Sequence, residues 1–219
     1  MIALAGNVDW SAAIVLFIVL LVSLTAHEAA HALVAKLGGD LTAYRSGQVT
    51  LNPLPHIQRE PMGMVVVPLL SIYMTGGQSC IGFASAPIDP IWAYHHPRRA
   101  ALVSAAGPLA NFVLAALAFG VLWIVGRPES SEGAAVRRIA ITFLVLNVLL
   151  GVFNLFPVPP LDGAGVLAGL VLPMRRVYDN LRRIPYLPLL LLVAVAFYVM
   201  PVVMVPVLRV IVRWLPYPF

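Results

Sequence analysis

Long apolar runs constrain this chain more than any other feature of its sequence. Hydrophobic residues make up 61% of it and charged residues 11%, and the apolar runs lie near 10–37, 62–75, 100–125, 139–172 and 186–214. A helix needs about 20 apolar residues to cross the roughly 30 Å of hydrocarbon in a bilayer. We therefore predict an all-α polytopic membrane protein with about five transmembrane helices, or six if the proline-containing last run divides.

The polar stretches between these runs are short, and the longest lie near 38–61 and 76–99. They leave no room for a soluble domain longer than a loop, so the prediction is a single transmembrane domain over residues 1–219. The first run lacks a basic N-terminal region and continues to about Leu37, so we interpret it as a retained span rather than a signal peptide.

Charge and cysteine content exclude several kinds of partner and site. The net charge of +5 comes from basic residues in short loops, which suits the headgroups of a lipid bilayer and indicates no nucleic-acid partner. With the N-terminus outside and five spans, eight basic residues lie inside and six outside, a slender bias.

Cys80 is the single cysteine, which excludes an intrachain disulfide and a cysteine-rich zinc site. Any metal must be held by His, Asp or Glu.

The first run contains the pattern H-E-x-x-H, formed by His27, Glu28 and His31. Histidines four residues apart lie on one face of a helix, so both imidazoles can reach one Zn²⁺, while Glu28 lies about 100° round the helix and can act on a metal-bound water. Ionisable groups inside a span are costly and usually mark a functional site. The alternative is that they form hydrogen bonds between helices or line a pore.

A zinc site needs a third protein ligand, and Asp162 is the candidate that we prefer. It follows three prolines that interrupt the run near 139–172, and irregular backbone at membrane depth is tolerated where it lines a protein or water cavity. We expect a broken or re-entrant segment near 154–163. The alternative role for Asp162 is an N-cap of the resumed helix. The other candidates lie in polar connections and are less suitable: Glu60, His95, His96 and Glu129.

Four segments together resemble the site-2 protease family of intramembrane zinc metalloproteases. They are His-Glu-Ala-Ala-His at 27–31, Gly-Gly-Asp followed by Leu-Asn-Pro-Leu-Pro-His within 38–56, Ser-Ala-Ala-Gly-Pro-Leu-Ala-Asn at 104–111, and Asn-Leu-Phe-Pro-Val-Pro-Pro-Leu-Asp-Gly at 154–163. The resemblance implies that His27, His31 and Asp162 bind one zinc ion per chain, that Glu28 is the general base and acid, and that Asn154 stabilises the oxyanion or positions substrate.

The resemblance also implies the setting and the partners. The chain is similar to the compact form without PDZ or CBS domain, in a prokaryotic cell membrane. Its substrate would be a membrane protein with a transmembrane segment, cleaved in regulated intramembrane proteolysis. The oligomeric state stays open. One departure is visible: members commonly continue Asp-Gly-Gly-Arg, whereas Ala164 and Gly165 follow Asp162-Gly163 here. This leaves open any contact that the arginine would make.

The sequence allows two interpretations for each of three further residues. Gly107 and Asn111 open a span, where we favour close helix packing and an inter-helix hydrogen bond over a direct part in the site. His56 either approaches the active site from a re-entrant loop or lies at the membrane interface.

Residues 41–51 contain two short β-prone runs about Ser46 and Gly47, which predict a small membrane-associated β-hairpin. Its free edge could accept an unwound substrate as an added strand. The alternative is an interfacial loop that links two spans.

Two other functions compete with proteolysis. A transporter or channel can also use a broken helix with ionisable groups at the membrane midplane, although no inverted repeat is evident here. A catalytically idle homologue would only bind membrane proteins.

Overall fold

The computed structural model describes residues 9–215, which form helices and connecting segments with no strand. The helices are α1 (Trp10–Gly38), α2 (Thr42–Arg45), α3 (Pro53–Arg59), α4 (Val67–Met74), α5 (Pro90–His95), α6 (Pro97–Val125), α7 (Ser131–Asn154), α8 (Asp162–Leu170), α9 (Leu172–Arg183), α10 (Leu187–Ala194) and α11 (Met200–Trp214). Two π-helical turns, Met62–Val66 and Val195–Val199, join α4 and α11 to the segments before them. The all-α prediction is confirmed.

Four helices within the described residues are long and apolar enough to cross a membrane: Trp10–Gly38, Pro97–Val125, Ser131–Asn154 and Leu187–Trp214. We expected about five. The difference is the run near 62–75, which forms the 13-residue apolar helix Met62–Met74. At 1.5 Å per residue such a helix is about 20 Å long, which is short of the hydrocarbon thickness. The last run forms one continuous helix and does not divide.

The predicted hairpin near 41–51 is wrong. Residues Thr42–Arg45 form a helical turn that begins where the Asp40 carboxylate accepts a hydrogen bond from the Thr42 amide. The backbone then returns on itself, because the Gln48 amide bonds the Ala43 carbonyl and Gly47 adopts a φ of 71°. These bonds join residues that are close in the sequence, so the backbone of this stretch turns locally and is not paired as two strands.

The interruption near 154–163 is present as predicted. Helix α7 ends at Asn154, and α8 begins at Asp162 after a non-helical segment that contains the three prolines. Proline lacks an amide donor and clashes with the preceding turn of a helix, so this stretch cannot continue α7.

Helix α6 is central, and it packs against α1, α7 and α8. One apolar cluster lies between α6, α7 and α11 around Leu122, Leu144 and Met204. Another lies between α1, the Met62–Met74 helix and α7 around Leu20, Met64 and Leu146. The histidines of α1 lie at its contact with α6, where the side chains of both helices are small.

Candidate metal centre

Helices α1 and α8 bring three predicted ligands together. The Nε2 atoms of His27 and His31 are 3.0 Å apart, and the Asp162 carboxylate lies 3.0 Å from the first and 3.4 Å from the second. The ligand atoms at a tetrahedral zinc ion, each about 2.0–2.1 Å from the metal, are separated by roughly 3.3 Å. The spacing therefore suits one such ion.

Hydrogen bonds on the far side of each imidazole fix its tautomer. His31 Nδ1 lies 2.6 Å from the Val103 carbonyl, and His27 Nδ1 lies 2.6 Å from the Asn111 side-chain oxygen. Because an oxygen of either kind accepts, both Nδ1 atoms carry a proton, and in the neutral imidazoles both Nε2 atoms present lone pairs. Two lone pairs and a carboxylate thus converge without a donor, an arrangement that a cation satisfies.

Asn111 belongs to a buried chain of polar side chains that crosses three helices. Its amide nitrogen donates to Asn147 of α7 at 2.9 Å, and Asn147 donates to Ser23 of α1 at 2.9 Å and to the Phe143 carbonyl. Asn111, Asn147 and Ser23 are each 0% exposed. Sequence reasoning anticipated an inter-helix bond for Asn111 but missed Asn147 and Ser23. Asn147 could have been identified from the sequence, because it is a single amide side chain inside an apolar span.

Gly107 explains how α6 approaches this closely. A Cβ atom built there would collide with the Nε2 atoms of His27 and His31. The structure thus agrees with the close-packing interpretation, and it adds that the close neighbour is the pair of histidines.

Glu28 is 3% exposed and lies beside the histidines, with the ligand atoms of all three residues within 4.8 Å of one another. Its Oε2 atom has no hydrogen-bond partner among residues 9–215. A carboxylate oxygen that is buried without a partner is unfavourable unless a water or substrate group completes it. This position suits a group that exchanges a proton with a bound water.

A cavity of about 170 Å³ opens on this group of side chains, and we call it the catalytic cavity. Asn154 lines it from the end of α7, although one amide proton of Asn154 is donated to Leu150 of its own helix. The remaining walls include Ser104, Pro160 and residues from 84 to 88. The structure thus places Asn154 and Pro160 beside the three predicted ligands.

The other candidates do not join the cavity. His56 is buried at 1% exposure and bonds the Thr50 carbonyl. It does not line the cavity, but it lies near enough to Glu28 for the two side chains to interact electrostatically. His96 bonds the Trp92 carbonyl of its own helix, and His95 is exposed. At the departure from the family pattern, Gly165 lies against Ser104 of α6, where any side chain would collide with the serine hydroxyl.

The walls at 84–88 belong to a segment without helix or strand, residues 79–89, which we call the strap. It is attached to the helices beside it: the Phe83 amide donates to Gly63, Arg59 donates to the Ser85 carbonyl, and the Asp89 amide donates to Asp40. Sequence reasoning described this stretch only as a polar connection. Its conformation depends on partners distant in the sequence, and no local pattern indicated them.

Known proteins similar to this chain are named as candidate zinc metalloproteases. YwhC of Bacillus subtilis is 36% identical over 72% of this chain and 69% of its own length. Rip2 of Mycolicibacterium smegmatis is 38% identical over 67% of this chain, and Rip2 of Mycobacterium tuberculosis is 35% identical over the same share. The chain spans about half of the length of the mycobacterial proteins, 53% in each case. No family model and no solved structure matches the chain.

Proposed function

Because the chain belongs to the site-2 protease family of zinc metalloproteases, we propose that it is an intramembrane endopeptidase. Its substrates are membrane proteins, cleaved within or near a transmembrane segment. The observation that carries this proposal is the position of the H-E-x-x-H pattern in the membrane helix α1, facing a cavity lined by residues of α6, α8 and the strap. The chain is a multi-pass membrane protein, and we place it in a bacterial cell membrane as a single domain.

The donor set suggests that His27, His31 and Asp162 hold one zinc ion per chain. A bound zinc ion supplies Lewis-acid activation of water and of the scissile carbonyl. Glu28 accepts the proton that the attacking water loses and delivers it to the leaving amine, so the carboxylate returns to its starting state. No covalent intermediate with the protein is needed.

We assign to Asn154 the role of stabilising the oxyanion. Its side chain lines the catalytic cavity, and a second amide proton remains after the bond to Leu150. A donor in this position stabilises the negative charge that develops on the carbonyl oxygen during attack.

The strap is the segment that we propose binds the substrate main chain. In an extended segment the backbone groups of successive residues point to opposite sides. The Phe83 amide and the Ser85 carbonyl are bonded to the protein, so in an extended strap the backbone groups of Ala84 and Ala86 point the other way, and both residues line the catalytic cavity. An unwound substrate can pair with this edge as an added strand, which gives affinity with little sequence selectivity.

Ester replacement of single peptide bonds in a substrate tests this pairing, because an ester removes one amide donor. We expect the cleavage efficiency to fall by about 2- to 10-fold at alternate residues, since a hydrogen bond contributes roughly 0.5–1.5 kcal/mol. Esters at the intervening residues are the matched control. An effect without this two-residue period would contradict strand pairing at the strap.

Glu28→Gln tests the catalytic proposal. The amide keeps the size of the side chain but cannot take up a proton, so we expect cleavage of a co-expressed membrane substrate to fall by about 10²-fold or more. Zinc should remain bound, whereas His27→Ala and Asp162→Ala should lose zinc as well. Loss of zinc from Glu28→Gln would show that this residue is a ligand, and undiminished zinc in Asp162→Ala would remove the aspartate from the site.

A further inference from the structure

A second cavity, of about 340 Å³, adjoins the catalytic cavity, and we call it the side cavity. Ile88 of the strap and Ser104 of α6 line both, so the two cavities are neighbours that share these walls. A polypeptide that occupies the catalytic cavity and continues past Ile88 and Ser104 enters the side cavity.

One wall of the side cavity is a polar face of α9. Arg175, Tyr178, Asp179 and Arg182 line it, and their spacing places them on one side of the helix. Arg175 is half-buried, donates to the Tyr94 carbonyl and lies 4.2 Å from the centre of the Tyr94 ring.

The positive charge of this face is not neutralised by the protein. Arg182 has no hydrogen-bond or ion-pair partner within residues 9–215, and Asp179 forms no ion pair with either arginine there. Two arginines against one aspartate leave the side cavity with an excess positive charge, which attracts acidic groups.

Helix α9 is held in place relative to the catalytic cavity. Tyr178 is 4% exposed, and its hydroxyl donates to the Pro157 carbonyl at 3.0 Å, within the segment that leads to Asp162. The bond from Arg175 to Tyr94 attaches the same helix to α5. Helix α9, which carries both arginines, is therefore held by α5 and by the segment that leads to Asp162.

We propose that the side cavity selects substrates that carry aspartate or glutamate in the segment flanking the scissile bond, with Arg182 as the main contact and Arg175 as the second. This inference rests on the proposed proteolytic function and names its substrate class. The side cavity shares the walls Ile88 and Ser104 with the catalytic cavity. This adjacency favours a substrate side chain over a lipid headgroup, because a headgroup would need no position beside the active site.

The test uses the whole zinc-loaded chain in vesicles of neutral phosphatidylcholine, with and without added phosphatidylglycerol, and three versions of one membrane substrate. They carry Asp, Asn or Lys at the same flanking positions. Binding is measured with the Glu28→Gln variant, and cleavage with Glu28 present. Each is repeated with Arg182→Glu and with the control Arg183→Glu, which makes the same change of charge on α9 at a residue that does not line the side cavity.

We expect the Asp version to bind and be cleaved about 3- to 10-fold better than the Asn version, as for a partly exposed ion pair. Arg182→Glu should shift the preference to the Lys version, and Arg183→Glu should keep the original order. Equal binding of all three versions would overturn the inference. So would an effect of Arg182→Glu that is equal for all versions, or one confined to vesicles with phosphatidylglycerol, which would assign Arg182 to lipid. Selective binding without any cleavage would instead refute the proposed function.

Discussion

The imidazole of His27 is fixed by a buried chain of hydrogen bonds that runs behind it through Asn111, Asn147 and Ser23. The sequence alone could predict the two histidines and Glu28, since their spacing is local to one helix. It could not predict which amides would meet them, because that depends on how α6 and α7 are aligned against α1. Partners of this kind typically change metal affinity by 10- to 100-fold.

Gly107→Ala provides a test at the same scale. The added methyl group would occupy space beside both Nε2 atoms, so we expect bound zinc and cleavage to be lost while the protein remains helical. Zinc analysis and circular dichroism measure the two outcomes. Gly120→Ala is the matched control on the same helix, since a methyl group there meets no atom within 4 Å. A zinc-loaded Gly107→Ala protein would contradict this account of the contact between α6 and α1.

Among the elements, the helices were predictable and the strap was not. A long apolar run or a proline-rich break determines local structure by itself, as α1, α6 and the end of α7 show. The strap contains no such pattern, and its position follows from bonds to Gly63, Arg59 and Asp40. The hairpin predicted at 41–51 failed for the related reason that local turns took its backbone bonds.

Attachment of the strap should depend on pH through Asp40. Burial opposes the charge of this carboxylate, but hydrogen bonds from Thr42 and from the Asp89 amide outweigh it and lower the pKa of Asp40 below its ordinary value. A lowered folded pKa gives stability that is complete above about pH 4, the unfolded pKa, and is lost as the pH falls through the folded pKa.

Limited proteolysis of the strap measures this effect. We expect cleavage within 79–89 to increase as the pH falls below about 4 in the unmodified protein, and to be high already at neutral pH in Asp40→Ala. Asp179→Asn, at an exposed aspartate of α9, should behave like the unmodified protein. Equal resistance of Asp40→Ala at neutral pH would show that the carboxylate does not hold the strap.

At the scale of the whole molecule, four spans give a clearer orientation than five. If the Met62–Met74 helix does not cross, residues 38–97 and 171–186 share one side of the membrane. Nine basic residues then lie on that side: Lys36, Arg45, Arg59, Arg98, Arg99, Arg175, Arg176, Arg182 and Arg183. Five lie on the other: Arg127, Arg137, Arg138, Arg209 and Arg213. The positive-inside rule places the larger group in the cytoplasm.

Cysteine labelling in intact cells tests this topology on a Cys80→Ser background. A membrane-impermeant maleimide should react with Arg127→Cys directly, and with Ser46→Cys and Ile91→Cys only after the cells are permeabilised. The last two positions flank the Met62–Met74 helix, so they lie on the same side in a four-span protein and on opposite sides in a five-span one. If only one of them were labelled in intact cells, the Met62–Met74 helix would have to cross the membrane as a fifth span.

The small volume of the catalytic cavity has a consequence for turnover. A space of about 170 Å³ holds only a handful of water molecules, and each hydrolysis consumes one of them. The surrounding lipid hydrocarbon cannot supply another water molecule, so continued catalysis requires a hydrated passage to the aqueous phase. We expect this passage to lie on the side of Ile88 and Ser104, toward the arginines of α9, and the rate of water resupply there would set an upper limit on how fast successive peptide bonds can be hydrolysed.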